Sequence, residues 1–379
     1  MTPQIKESQA TLKQLAEYLR FDPTNLALLS RAVDAAMNSQ EIVQGLELLD
    51  RMLVLIPGSP QILYKKSQLE IAAGRLDDAE EILRGLVDRG NDAPELNAAL
   101  GHVYFLKGAY DKAKPPLGAA MKHPERAPNL APVYLRTLHH AGDLAEAIAF
   151  GERWLGHSPD DAAVLGVLSL LYEDHGDAEK ALQAARRSVS LGGETPEALL
   201  VLGSNALAEQ RVGEAAEHFT RVLQQNPKSG RAWLGQGLLH MMSLELEAAC
   251  ESLDRCVQHM PDHIGSWHAL AWCQILRQDY QGAEESFNRS LQIDDNFGES
   301  HGGLGVLAAL QGDDTKAKKL IKRATRLDAG GFSGRFAQSV LLDRAGKAED
   351  AKKIIQAIIG SVDPKALAAS LARLATRRR

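Results

Sequence analysis

Apolar and polar positions along this chain follow a helical rhythm that restarts every 34 residues. Written in rows of that length, the sequence aligns without insertion or deletion. The clearest column is Ala79, Ala113, Ala147, Ala181, Ala215, Ala249, Ala283, Ala317 and Ala351, with Gly45 in the row above. Twelve positions earlier stand Ser67, Gly101, Ser169, Gly203, Gly237, Ala271, Gly305 and Ser339, with Leu135 as the exception. Five positions before the alanines come Gly74, Gly108, Gly142, Gly176, Gly312 and Gly346. Pro57, Pro159, Pro227 and Pro261, or Asp294-Asp295, close individual rows.

These columns predict a stack of helical hairpins. Two antiparallel helices approach closely only where side chains are small, so the Gly/Ser column and the alanine column mark their contact. Glycine in the turn supplies the positive φ that ends the first helix, and proline stops the second. Leu83, Leu117, Phe219, Leu253, Phe287, Ile321 and Ile355, four places after the small residue, fill the core beneath. Weak rows at Asn38–Gly45 and at Met242–Leu246 lack the turn glycine. Pro115-Pro116 lies inside a predicted second helix and should kink it or delay it after Lys114.

This pattern resembles the tetratricopeptide repeat, a 34-residue unit with the signature W-x2-L-G-x2-Y followed by A, F, A and P. Trp233 and Trp267 stand at the tryptophan position. Leu100-Gly101 with Tyr104 reproduces the next segment, and Leu168 with Tyr172 repeats it with Ser169 for glycine. The resemblance covers ten rows and implies an all-α fold, a right-handed α-solenoid or superhelix whose first helices line the concave face. Three segments follow: a partial repeat or capping helix over residues 1–25, ten repeats over 26–364, and a capping helix with a basic tail over 365–379. The N-terminal segment reads as a lone second helix from Thr11 to Arg20 before Asp22-Pro23. Such caps are expected, because an end repeat would otherwise expose its core.

Composition narrows the reading. No apolar run approaches the roughly 18 residues that cross a bilayer, and Met1–Ala10 is polar, which points to the cytoplasm. Cys250, Cys256 and Cys273 make an odd count without a CxxC pair, so they read as small buried hydrophobes. The net charge of −6 is split: from Thr315 to Arg379 there are 16 Lys/Arg against 5 Asp/Glu, whereas the first 314 residues hold 27 against 44.

The repeat register consumes nearly all of the chain and leaves no room for a catalytic domain. No GxxxxGK[ST], GxSxG or HExxH is present, and Gly302, Gly303 and Gly305 fall on a predicted helix rather than a phosphate loop. His139-His140 are adjacent, His259 and His263 flank Pro261 in a loop rather than sharing a helix face, and neither pair has the third ligand of a metal site nearby. The chain is therefore read as a non-enzyme without cofactor or metal.

The resemblance places ligand contacts at the second, fifth, sixth, ninth, twelfth and thirteenth residues of first helices. In the N-terminal half these are mixed: Arg31, Asp34, Tyr64, Lys65, Gln68, His102, Arg136 and His139. From the sixth to the ninth row they are mostly apolar: Leu200, Val201, Leu207, Leu234, Leu238, Met241, Met242, Trp272, Ile275, Leu276, Val306 and Leu310. Flexible methionines and a large aromatic suit adaptable hydrophobic recognition of a protein or peptide segment. No row pairs Lys at the fifth place with Asn at the ninth, so the family's carboxylate clamp is not expected. A second surface is basic: Lys316, Lys319, Lys322, Arg323 and Arg326 on one second helix, with Arg377, Arg378 and Arg379 beyond it. Few aromatics for stacking and a negative net charge disfavour nucleic acid. The expected function is a protein-binding scaffold, adaptor or chaperone-like, of the kind found near secretion or envelope-assembly machines. The alternative is self-association between the acidic body of one copy and the basic end of the next.

Overall fold

The computed structural model describes residues 3–126 and 129–361. Among these are twenty-one α-helices and one short 3-10 turn, and no strand. Helix α1 runs from Pro3 to Phe21, longer than the lone helix expected from Thr11. Then follow paired helices: α2 (Leu26–Ser39) with α3 (Ile42–Leu55), α4 (Pro60–Ala72) with α5 (Leu76–Val87), and α6 (Pro94–Leu106) with α7 (Tyr110–Ala120). Next are α8 (Leu130–His140) with α9 (Leu144–His157), α10 (Ala162–His175) with α11 (Ala178–Ser190), and α12 (Pro196–Ala208) with α13 (Val212–Gln225). The last four pairs are α14 (Gly230–Met242) with α15 (Leu246–His259), α16 (Ile264–Leu276) with α17 (Tyr280–Ile293), α18 (Gly298–Gln311) with α19 (Asp314–Leu327), and α20 (Phe332–Arg344) with α21 (Ala348–Ser361). The expected terminal helix over 365–379 lies outside the described residues. Where two prolines were expected to interrupt α7, the helix continues through Pro115 and Pro116 and ends at Ala120. The fold is an all-α repeat solenoid, and its helices form two compact units, Met1–Pro159 and Asp160–Arg379.

The small-residue columns work as contact points. A Cβ added at Gly101 would lie 2.5 Å from Leu117, one at Gly203 2.7 Å from Phe219, and one at Gly237 2.6 Å from Leu253. Phe219 is pressed from the other side by Gly235 of the next hairpin, where an added Cβ would come within 2.4 Å of its ring. Phe219 is thus clasped by its own hairpin and by the next one. That clasp makes these two hairpins a continuous core rather than separate domains. Helix starts are fixed by side-chain caps at Asn25, Asp161, Asp177, Thr195, Ser229, His263, Asp279 and Asp313, each accepting from a backbone N–H of the first turn.

Every hairpin turn contains a left-handed residue, including those without glycine. Gln40, Gln210, Leu244 and Gln278 occupy the turn column with φ of 62°, 59°, 58° and 62°. The repeat geometry therefore overrides the local preference of the residue, and all four rows that lack the glycine still turn. Leu244 carries the clearest penalty, because its side chain is 76% exposed and gains little packing in return. Leu244→Gly is expected to stabilise the protein by about 0.5–1 kcal/mol, read as a higher urea midpoint.

A further column, at the twenty-sixth place of the row, holds Arg51, Arg187, Arg221, Arg255, Arg289 and Arg323. Several of these reach back to the loop that precedes their own hairpin. Arg51 donates to the Pro23 carbonyl at 2.7 Å, Arg187 to the Asp160 carboxylate at 2.8 Å and Arg323 to the Asp295 carbonyl at 3.2 Å, while Arg221 pairs with Glu194. They tie successive hairpins together at the outer surface.

Candidate protein-binding face

Successive first helices pack on one another in both units: α4 on α6 and α6 on α8, then α10, α12, α14, α16, α18 and α20 in series. Successive second helices make no comparable contact among the described residues. Each stack is therefore packed more tightly on its first-helix side.

In the Asp160–Arg379 unit this packing redistributes the residues expected to line the face. Leu200, Val201, Leu207, Leu234, Leu238, Ile275 and Val306 are buried against neighbouring helices. They belong to the core between hairpins, which corrects their expected place at the surface. Met241 and Trp272 are half-buried. Trp272 donates its indole N–H to His268 Nε2 at 3.0 Å, and its ring lies 5.4 Å from Phe332 and 5.8 Å from Phe336. Those phenylalanines belong to the hairpin after next. Contact across the intervening α18 is possible because that helix presents glycine at 302 and 303. An added Cβ at Gly302 would meet the Gly334 nitrogen at 2.4 Å, so α18 and α20 touch backbone to backbone.

Three of the expected residues stay open. Met242, Leu276 and Leu310 are 47%, 49% and 38% exposed, and they hold the same place, the thirteenth, in three consecutive first helices. Exposed apolar side chains are ordinary singly, but here they recur in register and form a stripe. Leu244, in the turn beside Met242, widens it.

At the end of α10 a polar cluster borders this apolar region. Arg231, from the first turn of α14, donates from both terminal nitrogens to both oxygens of Asp174, at 2.8 Å each. The Arg231 side chain is 18% exposed and that of Asp174 6%. Neighbouring Glu173 is pushed up to about 7, chiefly by burial and further by the Asp174 charge, against the pull of Arg231 and a Ser204 hydrogen bond. Arg231 sits 57 residues away from Asp174 and nothing in the register announces the pair.

His268 is buried under Trp272, and burial pushes it down to about 3 from an ordinary 6.5. It is neutral in the fold, whereas the unfolded chain takes up a proton below about 6.5. Its contribution to stability is therefore present above pH 6.5 and lost as pH falls towards 3, at up to about 1.4 kcal/mol per unit. Glu173 acts in the opposite sense: its contribution is present below 4.5 and lost as pH rises through about 7. Urea midpoints at pH 7 and pH 5 are expected to fall more for the wild type than for His268→Gln.

In the Met1–Pro159 unit the same face is mixed, with Leu106 46% exposed at the thirteenth place of α6 among polar residues. Lys65 pairs with Asp34 at 2.5 Å, Arg31 is exposed, and Tyr64, Gln68, His102, Arg136 and His139 are half-buried. The expected basic surface lies on α19, on the second-helix side. Lys316, Lys319, Lys322, Arg323 and Arg326 are all exposed there, with Lys316 bonded to Glu284 at 2.9 Å. Arg377, Arg378 and Arg379 lie outside the described residues. Cys250, Cys256 and Cys273 are free and buried, and burial pushes the Cys256 thiol up to about 12. No helix among the described residues is long and apolar enough to cross a membrane.

Paired helices with small-residue contacts, stacked in register and packed more tightly on one side, define a helical-repeat interaction scaffold. Two family models, both described as the tetratricopeptide repeat, match the chain, one over residues 41–103 and the other over 167–229 and 200–263. These segments are tetratricopeptide repeats, and repeats of this family indicate protein partners. Among solved structures it is similar to the Cut9–Hcn1 hetero-tetramer of the APC/C, with 13% identity over 84% of this chain and 56% of that one, at a TM-score of 0.46. It spans little more than half the length of that structure. It is also similar to YrrB, described as having an unusual peptide-binding site (16% identity, 50% and 97% covered, TM-score 0.39), and to pilF of Pseudomonas aeruginosa (16%, 65% and 96%, 0.41). No curated protein matches it.

Proposed function

We propose that the first-helix face of the Asp160–Arg379 unit is a groove that holds an apolar or amphipathic segment of a partner protein. The chain then acts as a non-catalytic adaptor or chaperone-like scaffold. The observation that supports this most is the stripe Met242, Leu276 and Leu310, open at one register in three consecutive hairpins. Burying three such side chains against a ligand yields roughly 1.5–3 kcal/mol each, enough for micromolar binding after ordering costs. A cytoplasmic location and work beside secretion or envelope-assembly machinery complete the proposal.

Affinity capture from source lysate with wild type and with Met242→Glu/Leu276→Glu tests it. Both side chains are exposed, so the variant should retain the wild-type circular dichroism spectrum. A partner held by wild type and lost by the folded variant is the expected result. Equal capture by both would remove recognition from this face and direct attention to the basic surface of α19.

A further inference from the structure

The apolar stripe has a spacing, a rim charge and a chemical gap that together describe its occupant. Packed helices lie about 8–10 Å apart, so Met242, Leu276 and Leu310 offer one anchor per such step. Two turns of an α-helix, seven residues at about 1.5 Å each, advance about 10.5 Å and return to nearly the same face. An extended segment could match that step too, but its unpaired backbone N–H and C=O groups would need partners in the groove.

The face provides few such partners. No asparagine or glutamine stands at any of the six face positions of α14, α16 or α18. Gln236 and Gln274, on other sides of their helices, are engaged with Thr220 at 3.1 Å and Ser286 at 2.8 Å. A helix brings its backbone hydrogen bonds already made and suits such a floor. The rim beside the stripe is acidic. The turns that follow α14, α16 and α18 carry exposed Glu245, Glu247, Asp279, Asp313 and Asp314. His240 lies 2.7 Å from Glu245, and Arg277 and Arg344 lie 3.7 Å from Glu247 and Asp314, so the carboxylates still outnumber the cations beside them.

Resting on the reading of this face as a partner groove, we propose that its occupant is a basic amphipathic α-helix that presents one large apolar residue every seven positions to Met242, Leu276 and Leu310. Its lysine or arginine flank faces the acidic turns, which also fixes which side of the helix lies outward.

Three fluorescent peptides of about 18 residues test this by anisotropy against the full chain. The first is helical, with leucine at every seventh place and lysine on one flank. The second replaces those lysines by glutamate. The third keeps the leucines and lysines but carries prolines that forbid a helix. The first is expected to bind at least about tenfold more tightly than either other peptide. It should weaken with added salt, and Met242→Glu/Leu276→Glu should abolish its binding. Equal binding of the proline peptide would overturn the helical occupant but leave the groove. Equal binding of the glutamate peptide would overturn its basic character. If no peptide binds, or binding survives in the double variant, the groove reading fails as well.

Discussion

Gly302→Ala is expected to destabilise the Asp160–Arg379 unit by about 2 kcal/mol, although alanine is intrinsically the better helix former. The added methyl would meet the Gly334 nitrogen at 2.4 Å and the Ser333 carbonyl carbon at 2.6 Å. Main-chain atoms cannot swing aside as a side chain does, so α18 and α20 must separate. Separation would also loosen the contacts of Trp272 with Phe332 and Phe336 that reach over α18. Solenoids unfold by neighbouring units, so the effect should be local: faster hydrogen exchange in α18 and α20, and little change in the Met1–Pro159 unit. Gly85→Ala is the matched control. A Cβ there meets no atom within 4 Å, and the substitution should stabilise α5 by about 0.5–1 kcal/mol.

Arg231→Met should cost about 3 kcal/mol, because it takes the two-pronged guanidinium away from the buried Asp174 carboxylate. The figure sits at the lower end for a buried pair, since the Arg231 side chain stays 18% exposed. Loss of Arg231 also removes the positive charge that holds Glu173 down, so that carboxyl should rise further and stay protonated at neutral pH. Replacing both partners, as Arg231→Met/Asp174→Leu, should recover most of the stability, because neither charge of the pair then remains. Urea unfolding of the two single variants and the double variant, treated as a cycle, reads the coupling directly. A double variant as unstable as the sum of the singles would show that the pair is not the relevant interaction.

The repeat itself was legible because its cause is local and periodic. Close helix approach demands a small residue at one place, so Ala215 or Gly203 can be recognised from its column alone. The turns at Gln40 and Leu244 were less legible, since a left-handed backbone without glycine or asparagine is imposed by the helices on either side. The arginine column from Arg51 to Arg323 was present as a period but carried no obvious packing role until the loops it holds were seen. The face was read in outline and misread in depth. Leu234 and Met242 look alike in a sequence row, yet the first is sealed between hairpins and the second opens to solvent. That difference depends on how closely successive first helices approach, a property of the stack and not of any one row. The link between Arg231 and Asp174 spans two hairpins, and for that reason lay beyond single-row reasoning.

Site-specific photocrosslinking tests the central claim most directly. A photoreactive residue placed at Leu276, on the first-helix stripe, is compared with one placed at Lys319, on the second-helix side. The partner captured by the wild-type protein is expected to crosslink at 276 and not at 319. Crosslinks at 319 with none at 276 would contradict it and make the basic second-helix surface the site of recognition.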